Sequence, residues 1–341
     1  MPAFSLLRHS ADLAKSAPST QSPPETMGCF HAARLDDDRM GRDRAGGMTA
    51  RAASNTRAIL TMLAAVGLFS LMDAGLKLLS AHYPPFQVAT LRGAASFPIV
   101  LAWALATSGW RSLLRIRWPL HLLRAALSVM MMASFVFALK RLPLSTAYTI
   151  FFIAPMLITA LSVPILGERV GPRRWVAIVV GFIGVLIAMR PSADGVVGIA
   201  GFAVLFAAIG YAVSAITVRI LARTDNTQAM MVWLMLLMTL GAFAFAVAGW
   251  APVARSDWWL IAGIGIAGAL GQYAITEAFI RGEASLLAPL EYTALAWGVG
   301  LDLALWGVLP DAITWLGAAI IVASGLYLLR RERVHVEAEH P

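Results

Sequence analysis

The chain has 341 residues, of which 59% are hydrophobic and only 13% are charged, and its formal net charge is +8 at pH 7. Because a soluble domain carries about 25% charged residues, this composition excludes an ordinary globular protein and indicates a membrane protein. The arginines lie mainly in the N-terminal tail and in short loops, where membrane topology accounts for them, so the charge does not indicate a nucleic-acid partner. The one cysteine, Cys29, excludes an intramolecular disulfide and a thiolate metal site or redox pair.

The N-terminal segment, residues 1–56, differs from the rest of the chain because it is rich in Arg, Asp, Ser and Pro and has no apolar run. This composition predicts a disordered cytoplasmic tail and argues against a secretory signal. An alternative is that Met48 is the true start, since it opens a short head directly before the first apolar segment.

Ten apolar segments follow, each long enough to cross a hydrocarbon core that takes about 20 residues of α-helix. Continuous apolar runs indicate helices, because membrane strands would alternate apolar and polar residues. The predicted spans are 58–80, 86–107, 119–140, 144–167, 173–190, 196–221, 228–249, 257–280, 284–308 and 312–329.

The chain also repeats itself once. From Trp118 onward, which aligns with Trp258, the two halves run in register without a gap. Since a unit of five spans ends on the side opposite to its start, the second unit must be inverted relative to the first. The sequence therefore predicts an all-α integral membrane protein with two inverted five-helix repeats, over 57–190 and 196–330. This is an architecture of secondary transporters, which bind substrate between the repeats.

The charges of the loops predict the orientation, because positive residues accumulate on the cytoplasmic side. With the N-terminus inside, the inner loops hold Arg111, Arg115, Arg117, Arg169, Arg173, Arg174, Arg219, Arg223 and Arg281. The outer loops hold only Lys140, Arg141, Arg190 and Arg255. We therefore expect a multi-pass protein of the cytoplasmic (inner) membrane with both termini in the cytoplasm.

Charged residues inside the first two spans are candidate functional groups, since a charge at membrane depth is costly. Asp73 and Lys77 lie four residues apart on one face of the first helix. Arg92, in the second helix, lies at about the height of Asp73 in an antiparallel hairpin. We predict an Asp73–Arg92 ion pair, which either holds the hairpin together or contacts substrate.

The ninth span contains two carboxylates, Glu291 and Asp302. With Leu295 and Gly298 between them, their spacing places both on one stripe of a continuous helix, and Pro289 frees a backbone carbonyl nearby. Two acids on an apolar helix indicate a face that lines a cavity or the bundle interior. Glu291 is predicted to bind substrate or to couple protons; Asp302 is nearer the outer end, where simple solvation is the alternative.

Three further charged residues, in the inner part of their spans, are predicted to serve in coupling or as structural charges. Glu277 is four residues from Arg281, which predicts an ordinary ion pair within one helix. Arg124, in the third span, is predicted to reach Glu168 at the end of the fourth. No His or Cys cluster has the spacing of metal ligands, and no phosphate-binding loop or catalytic motif is present, so no metal, cofactor or ATP hydrolysis is predicted.

Several motifs together resemble the EamA-type carriers of the drug/metabolite transporter superfamily over residues 57–332. They are "LMDAGLKLLS" in the first span, Arg92 in the second, "FALKRLPLSTA", "APMLITALSVPILGERV", "APLEYTALAW" and "ITWLGAAIIVASGLYLLRRER". The resemblance implies ten helices around a central polar cavity, cytoplasmic termini and alternating access without ATP. The pattern "MDAGLK" is similar to a subgroup associated with S-adenosylmethionine or riboflavin.

The chain departs from the family pattern at one place. The family usually has a Gly-Glu pair at the end of both the fourth and the ninth span, and here Gly167-Glu168 is present whereas the second copy reads Gly307-Val308. The resemblance implies that any role of the second glutamate is lost. It also increases the weight on Glu291, which lies where the family has a P-x-E-Y motif.

These observations predict a secondary transporter of a small polar metabolite, such as an amino acid, a vitamin or a nucleotide-derived solute. The alternatives are an integral membrane enzyme acting on a lipid-linked substrate and a non-catalytic membrane subunit. Proton coupling and a homodimer are compatible with the sequence. The substrate-binding residues are predicted to be Glu291, Tyr292, Arg92, Asp73, Lys77 and Tyr211.

Overall fold

A computed structural model describes residues 56–114, 116–168, 170–189, 196–222, 224–281 and 284–339. The predicted tail lies outside these residues except for Thr56, and so do Met48 and Cys29. The described part of the chain consists of α-helices and short 3-10 helices, without strands.

The α-helices are numbered here in chain order. They are α1 Thr56–Ser80, α2 Pro85–Ser108, α3 Trp118–Leu139, α4 Leu144–Phe151, α5 Ala154–Leu166, α6 Pro172–Met189, α7 Val196–Leu221, α8 Thr227–Ala246, α9 Trp258–Arg281, α10 Ala284–Leu287, α11 Ala294–Trp306 and α12 Ala312–Glu339. The 3-10 helices are Trp110–Leu113, Val247–Gly249, Arg255–Asp257 and Ala288–Thr293. Within the described residues, nine segments are long and apolar enough to cross a membrane, and α10 with α11 supplies the tenth, interrupted span.

The fourth and ninth spans, each predicted as one helix, are both interrupted. α4 and α5 are separated by a bend, with Pro155 in the first turn of α5, while a 3-10 helix that contains Pro289 separates α10 from α11. A proline lacks the N–H that a helix needs and its ring clashes with the carbonyl four residues earlier, which explains both breaks. The prediction of one continuous helix over 284–308 is therefore wrong.

The two repeats fold alike in detail. α3 and α9 begin at residues that align in the sequence repeat, and α5 and α11 begin and end at aligned residues. Both of these last helices end at a left-handed glycine, Gly167 with φ 71° and Gly307 with φ 64°. Glycine is needed there because a Cβ disfavours this conformation. The repeat seen in the sequence is thus a repeat of structure.

The carboxylate of Asp302 joins the two repeats, and we call its contacts the Asp302 clasp. The side chain is fully buried. Its oxygens accept hydrogen bonds from the backbone N–H of Leu144 at 2.9 Å, the N–H of Ser145 at 2.8 Å and the Ser145 hydroxyl at 2.7 Å. Lys77 Nζ lies 3.4 Å from Oδ1 and also donates to the Leu142 carbonyl at 3.0 Å. A negative charge is well placed here because the first N–H groups of α4 have no partner within the helix.

The interpretation of Asp302 as a solvated residue near a helix end is consequently wrong. It connects α11 of the second repeat to α1 and α4 of the first. The aligned position in the first repeat holds Ser162, whose hydroxyl donates to the Thr159 carbonyl of its own helix at 2.9 Å. The clasp therefore has no equivalent at that position.

A second buried pair fixes the start of α3 to the connection between α7 and α8. His121 Nε2 lies 2.9 Å from Asp225 Oδ2, and both side chains are almost fully buried. Burial alone would raise the pKa of Asp225. Hydrogen bonds from Thr224, the Arg117 N–H and His121 outweigh it and hold the pKa below its ordinary 3.8.

Close helix packing relies on small residues where α6 meets α12. A Cβ on Gly184 would lie 2.9 Å from Ile321, and one on Gly317 would lie 2.8 Å from Ala188. Small residues allow the backbones of membrane helices to approach, and these two helices form the end of each repeat.

We expect Asp302→Asn to lower the free energy of unfolding by about 3–5 kcal/mol, because it leaves Lys77 unpaired and presents an amide to the N–H groups of α4. Thermal and denaturant unfolding in detergent measure the change. Glu168→Gln is the matched control, since that carboxylate pairs with Arg219 at a half-exposed position where the loss is under about 1 kcal/mol. Equal midpoints for the two variants would contradict the role of the clasp.

The difference in the free energy of unfolding between Asp225→Asn and the parent chain is expected to depend on pH. A carboxyl whose pKa is lowered on folding stabilises the protein above its unfolded pKa and ceases to do so as the pH falls through the folded pKa. The variant should be less stable than the parent chain by about 1–3 kcal/mol at pH 7, and the difference should shrink below pH 3.8. Unfolding of both proteins at pH 7 and pH 3 checks this, and a difference that does not depend on pH would refute it.

Candidate functional site

The helix breaks of the two repeats lie against each other. The rings of Phe152, in the first break, and Tyr292, in the second, have centroids 4.9 Å apart. These two residues occupy aligned positions in the repeats. Two equivalent points can touch only near the axis that relates them, so this contact marks the pseudo-two-fold axis between the halves. Secondary transporters bind their substrates at such an interface.

Glu291 lies in the 3-10 helix at this interface. It is half-buried, and among the described residues its carboxylate has no hydrogen-bond donor and no ion-pair partner. The predicted stripe that joins it to Asp302 does not exist, because α11 begins three residues after Glu291 and Asp302 is held by α4. Asp302 is therefore part of a contact between helices, whereas Glu291 is not.

Aromatic residues lie near the unpaired carboxylate. The hydroxyls of Tyr211 and Tyr292 lie within electrostatic reach of Glu291. The Tyr211 ring packs on Phe151 at 5.5 Å, and the Tyr292 hydroxyl is buried without a hydrogen-bond partner. With Phe152, this set combines one acceptor charge with apolar ring faces, while the Tyr292 hydroxyl is buried against Gly325 of α12. Such a set suits a flat solute that carries an amine or N–H group.

The predicted ion pair between Asp73 and Arg92 is not formed. Asp73 instead accepts a hydrogen bond from the Tyr148 hydroxyl at 2.9 Å, and Arg92 Nε lies 3.3 Å from the sulfur of Met72. The two charges still interact electrostatically, although no N–O distance between them falls within 4.0 Å. Tyr148 of α4 takes the place beside Asp73 that the prediction gave to Arg92. Because thioether sulfur is a weak acceptor, Arg92 keeps donors for another group.

Lys77 belongs to the Asp302 clasp, one helical turn from Asp73 on α1. Its ammonium group lies 4.3 Å from the centre of the Trp306 ring, in addition to its bonds to Asp302 and Leu142. A cation over an indole ring gains a further attraction. Lys77 is thus fully engaged in joining helices.

Of the two remaining predictions of ion pairs, one is confirmed and one is wrong. Glu277 and Arg281 form the predicted ion pair, at 2.9 Å. Glu168 pairs with Arg219 at 3.1 Å and not with Arg124. Glu168 is half-exposed, whereas Arg124 is buried in the bundle, with only 6% of the residue exposed.

The clefts on the side of the bundle do not contain the predicted site residues. One, of about 420 Å³, lies between α6 and α12, and another, of about 210 Å³, lies between α2, α8 and α9. Both have mainly apolar linings. Among the described residues, no three His, Cys, Asp or Glu side chains are grouped to hold a metal ion. The buried polar groups at the axis, and not the clefts, therefore define the candidate site.

Sequence reasoning missed three residues that shape the site: Tyr148, Phe151 and Phe152. All three belong to the apolar "AYTIFFIAP" stretch, in which nothing but Pro155 signals a break. The alignment of the two repeats pairs Phe152 with Tyr292, which is a predicted substrate-binding residue.

Comparison with known proteins identifies the family. The profile of the EamA-like transporter family matches residues 56–190 and again 198–330. The chain is 32% identical to a riboflavin transporter of Vibrio cholerae, covering 80% of this chain and 93% of that protein.

Two other relatives have different named activities. An S-adenosylmethionine uptake transporter of Rickettsia conorii is 27% identical, covering 83% of this chain and 98% of that protein. The pseudopaline exporter CntI of Pseudomonas aeruginosa is 26% identical, covering 78% and 93%.

A solved crystal structure agrees with the fold. It superposes with a TM-score of 0.56 at 21% identity and covers 81% of this chain and 98% of its own. At that identity the likeness concerns the fold alone. On the strength of the two profile matches and the relatives, the chain belongs to the EamA-like transporter family and is a multi-pass membrane transporter, not an enzyme.

Proposed function

We propose that the protein is a secondary transporter that moves a small polar metabolite by alternating access, with its substrate site at the two helix breaks. The observation that carries this proposal is the unpaired carboxylate of Glu291 beside the pseudo-two-fold axis. A membrane-embedded acid without a partner is costly, so a bound solute or a proton must neutralise it during the cycle.

The surroundings of Glu291 favour a substrate with an aromatic ring. Phe151, Phe152, Tyr211 and Tyr292 supply ring faces, and the carboxylate accepts a hydrogen bond from an amine or ring N–H. A vitamin or a nucleotide-derived solute has both features. The riboflavin and S-adenosylmethionine transporters among the relatives are named for compounds of this kind.

The pair of Asp73 and Arg92 gives the site a second polar contact. Asp73 is oriented by the Tyr148 hydroxyl, and the Arg92 guanidinium has donors that Met72 does not satisfy. In this arrangement, Arg92 binds a carbonyl or carboxylate oxygen of the solute. Tyr148 connects this contact to α4, whose first turn is held by the Asp302 clasp.

The way the repeats are joined supports alternating access. With both termini in the cytoplasm, the start of α4 lies at the outer side, and the Asp302 clasp closes that side. Separation of α11 from α4 breaks the clasp and opens a path to Glu291. Glu291 is protonated or bound to solute during this change, which couples occupancy to opening.

Glu291→Gln is the direct test of the site. Hydrogen bonds to a charged group contribute about 1.5–3 kcal/mol, so we expect the variant to bind its solute about 10- to 100-fold more weakly. Its stability should stay near that of the parent chain, because the carboxylate has no protein partner to lose. Uptake of radiolabelled riboflavin, S-adenosylmethionine and amino acids into proteoliposomes measures the effect.

The control is Glu277→Gln, which removes a membrane-embedded acid with a partner of its own, Arg281. It should transport like the parent chain. Transport by Glu291→Gln at the parent rate, for every solute that the parent protein carries, would refute the proposed site.

A further inference from the structure

Arg124 of α3 is a buried cation without a partner. Only 6% of the residue is exposed, and its Nε and Nη1 atoms are buried without a hydrogen-bond acceptor. Among the described residues, no carboxylate oxygen lies within 4.0 Å of it. A guanidinium group cannot shed its charge by losing a proton, so the full cost of burial remains.

The fold does not need a charge at this place. The aligned residue of the second repeat is Ile264 of α9, which is 2% exposed. The same helix position therefore packs well with an aliphatic side chain. The packing of the helices therefore does not account for the buried charge of Arg124.

The guanidinium faces the interior of the bundle and not the lipid. The preceding residues, Leu122 and Leu123, are 53% and 46% exposed and form the lipid-facing side of α3. His121 lies one turn before Arg124 on the buried side, and its Nδ1 is also without a partner. α3 packs against α7, the helix that carries Tyr211 of the candidate site. Two buried side chains with nitrogens that lack a partner thus lie on a helix that packs against α7.

We propose that Arg124 binds an anionic group, a carboxylate or a phosphate, of the transported solute. The planar guanidinium matches these groups in shape and charge, and a bound anion removes the cost of burying the cation. The inference rests on the proposed transport function. It assigns the solute a negative group in addition to the amine or N–H group that Glu291 accepts.

The test uses small anions, because the solute is unidentified. Purified protein is unfolded thermally in detergent with increasing inorganic phosphate or acetate, at constant ionic strength set with chloride. An anion that binds the folded state raises the midpoint in a saturable manner. We expect this rise in the parent chain and in Arg219→Gln, a control that removes a half-exposed arginine, and its loss in Arg124→Gln.

Further variants keep the test decisive. Without added anion, Arg124→Leu should be at least as stable as the parent chain, as Ile264 indicates; Arg124→Lys keeps the charge and should retain a weaker shift if Arg124→Gln does not fold. The proposal is overturned if neither anion stabilises the parent chain or if the rise persists in Arg124→Gln.

Two more arms separate the sources of the anion and the two proposals. A shift that depends on Arg124 but is produced only by phosphatidylglycerol, and not by phosphate or acetate, would assign the site to a lipid headgroup and overturn the inference. Glu291→Gln should keep the shift with phosphate, since Glu291 does not contact the anion. Failure of the transport assay and failure of the anion assay are therefore distinguishable.

Discussion

The membrane-embedded part of this protein depends on one constraint, which is that a charge deep in the bundle must be neutralised. The Asp302 clasp meets it fully, since the carboxylate receives two backbone N–H groups, a hydroxyl and an ammonium group. By doing so it holds α11 to the start of α4 and to α1. The broken spans α4–α5 and α10–α11 keep their mutual position because their ends are tied in this way.

The same constraint separates the charged residues into two groups. Asp302, Lys77, Glu277 and Arg281 have partners in the protein, and their energies are accounted for within the fold. Glu291 has none among the described residues, and it lies where the repeats meet. Function is best sought where the protein alone leaves the electrostatics incomplete, because a ligand that completes them gains binding energy from a cost already incurred on folding.

Much of this architecture is predictable from the sequence. The long apolar runs predict the spans, because the length of an apolar run is a local property of the sequence. The alignment of Trp118 with Trp258 predicts the repeat. Glu291 was also singled out, since an acid in an apolar run is conspicuous. What the sequence does not contain is which side chain arrives beside each charge. Asp73 accepts its hydrogen bond from Tyr148 of α4 and not from Arg92, a consequence of tertiary structure that spacing along one hairpin does not reveal.

The presence of Ser162 at the position aligned with Asp302 makes the contacts of the two repeats unequal. In the alternating-access cycle proposed above, identical contacts in both repeats would make the conformations open to either side of the membrane nearly equal in free energy. Here Ser162 bonds within its own helix, and the buried His121–Asp225 pair joins the repeats at the opposite end of α3, so the two sides are held by different contacts. Under that proposal the two conformations differ in free energy, and differential binding of the solute shifts the balance between them.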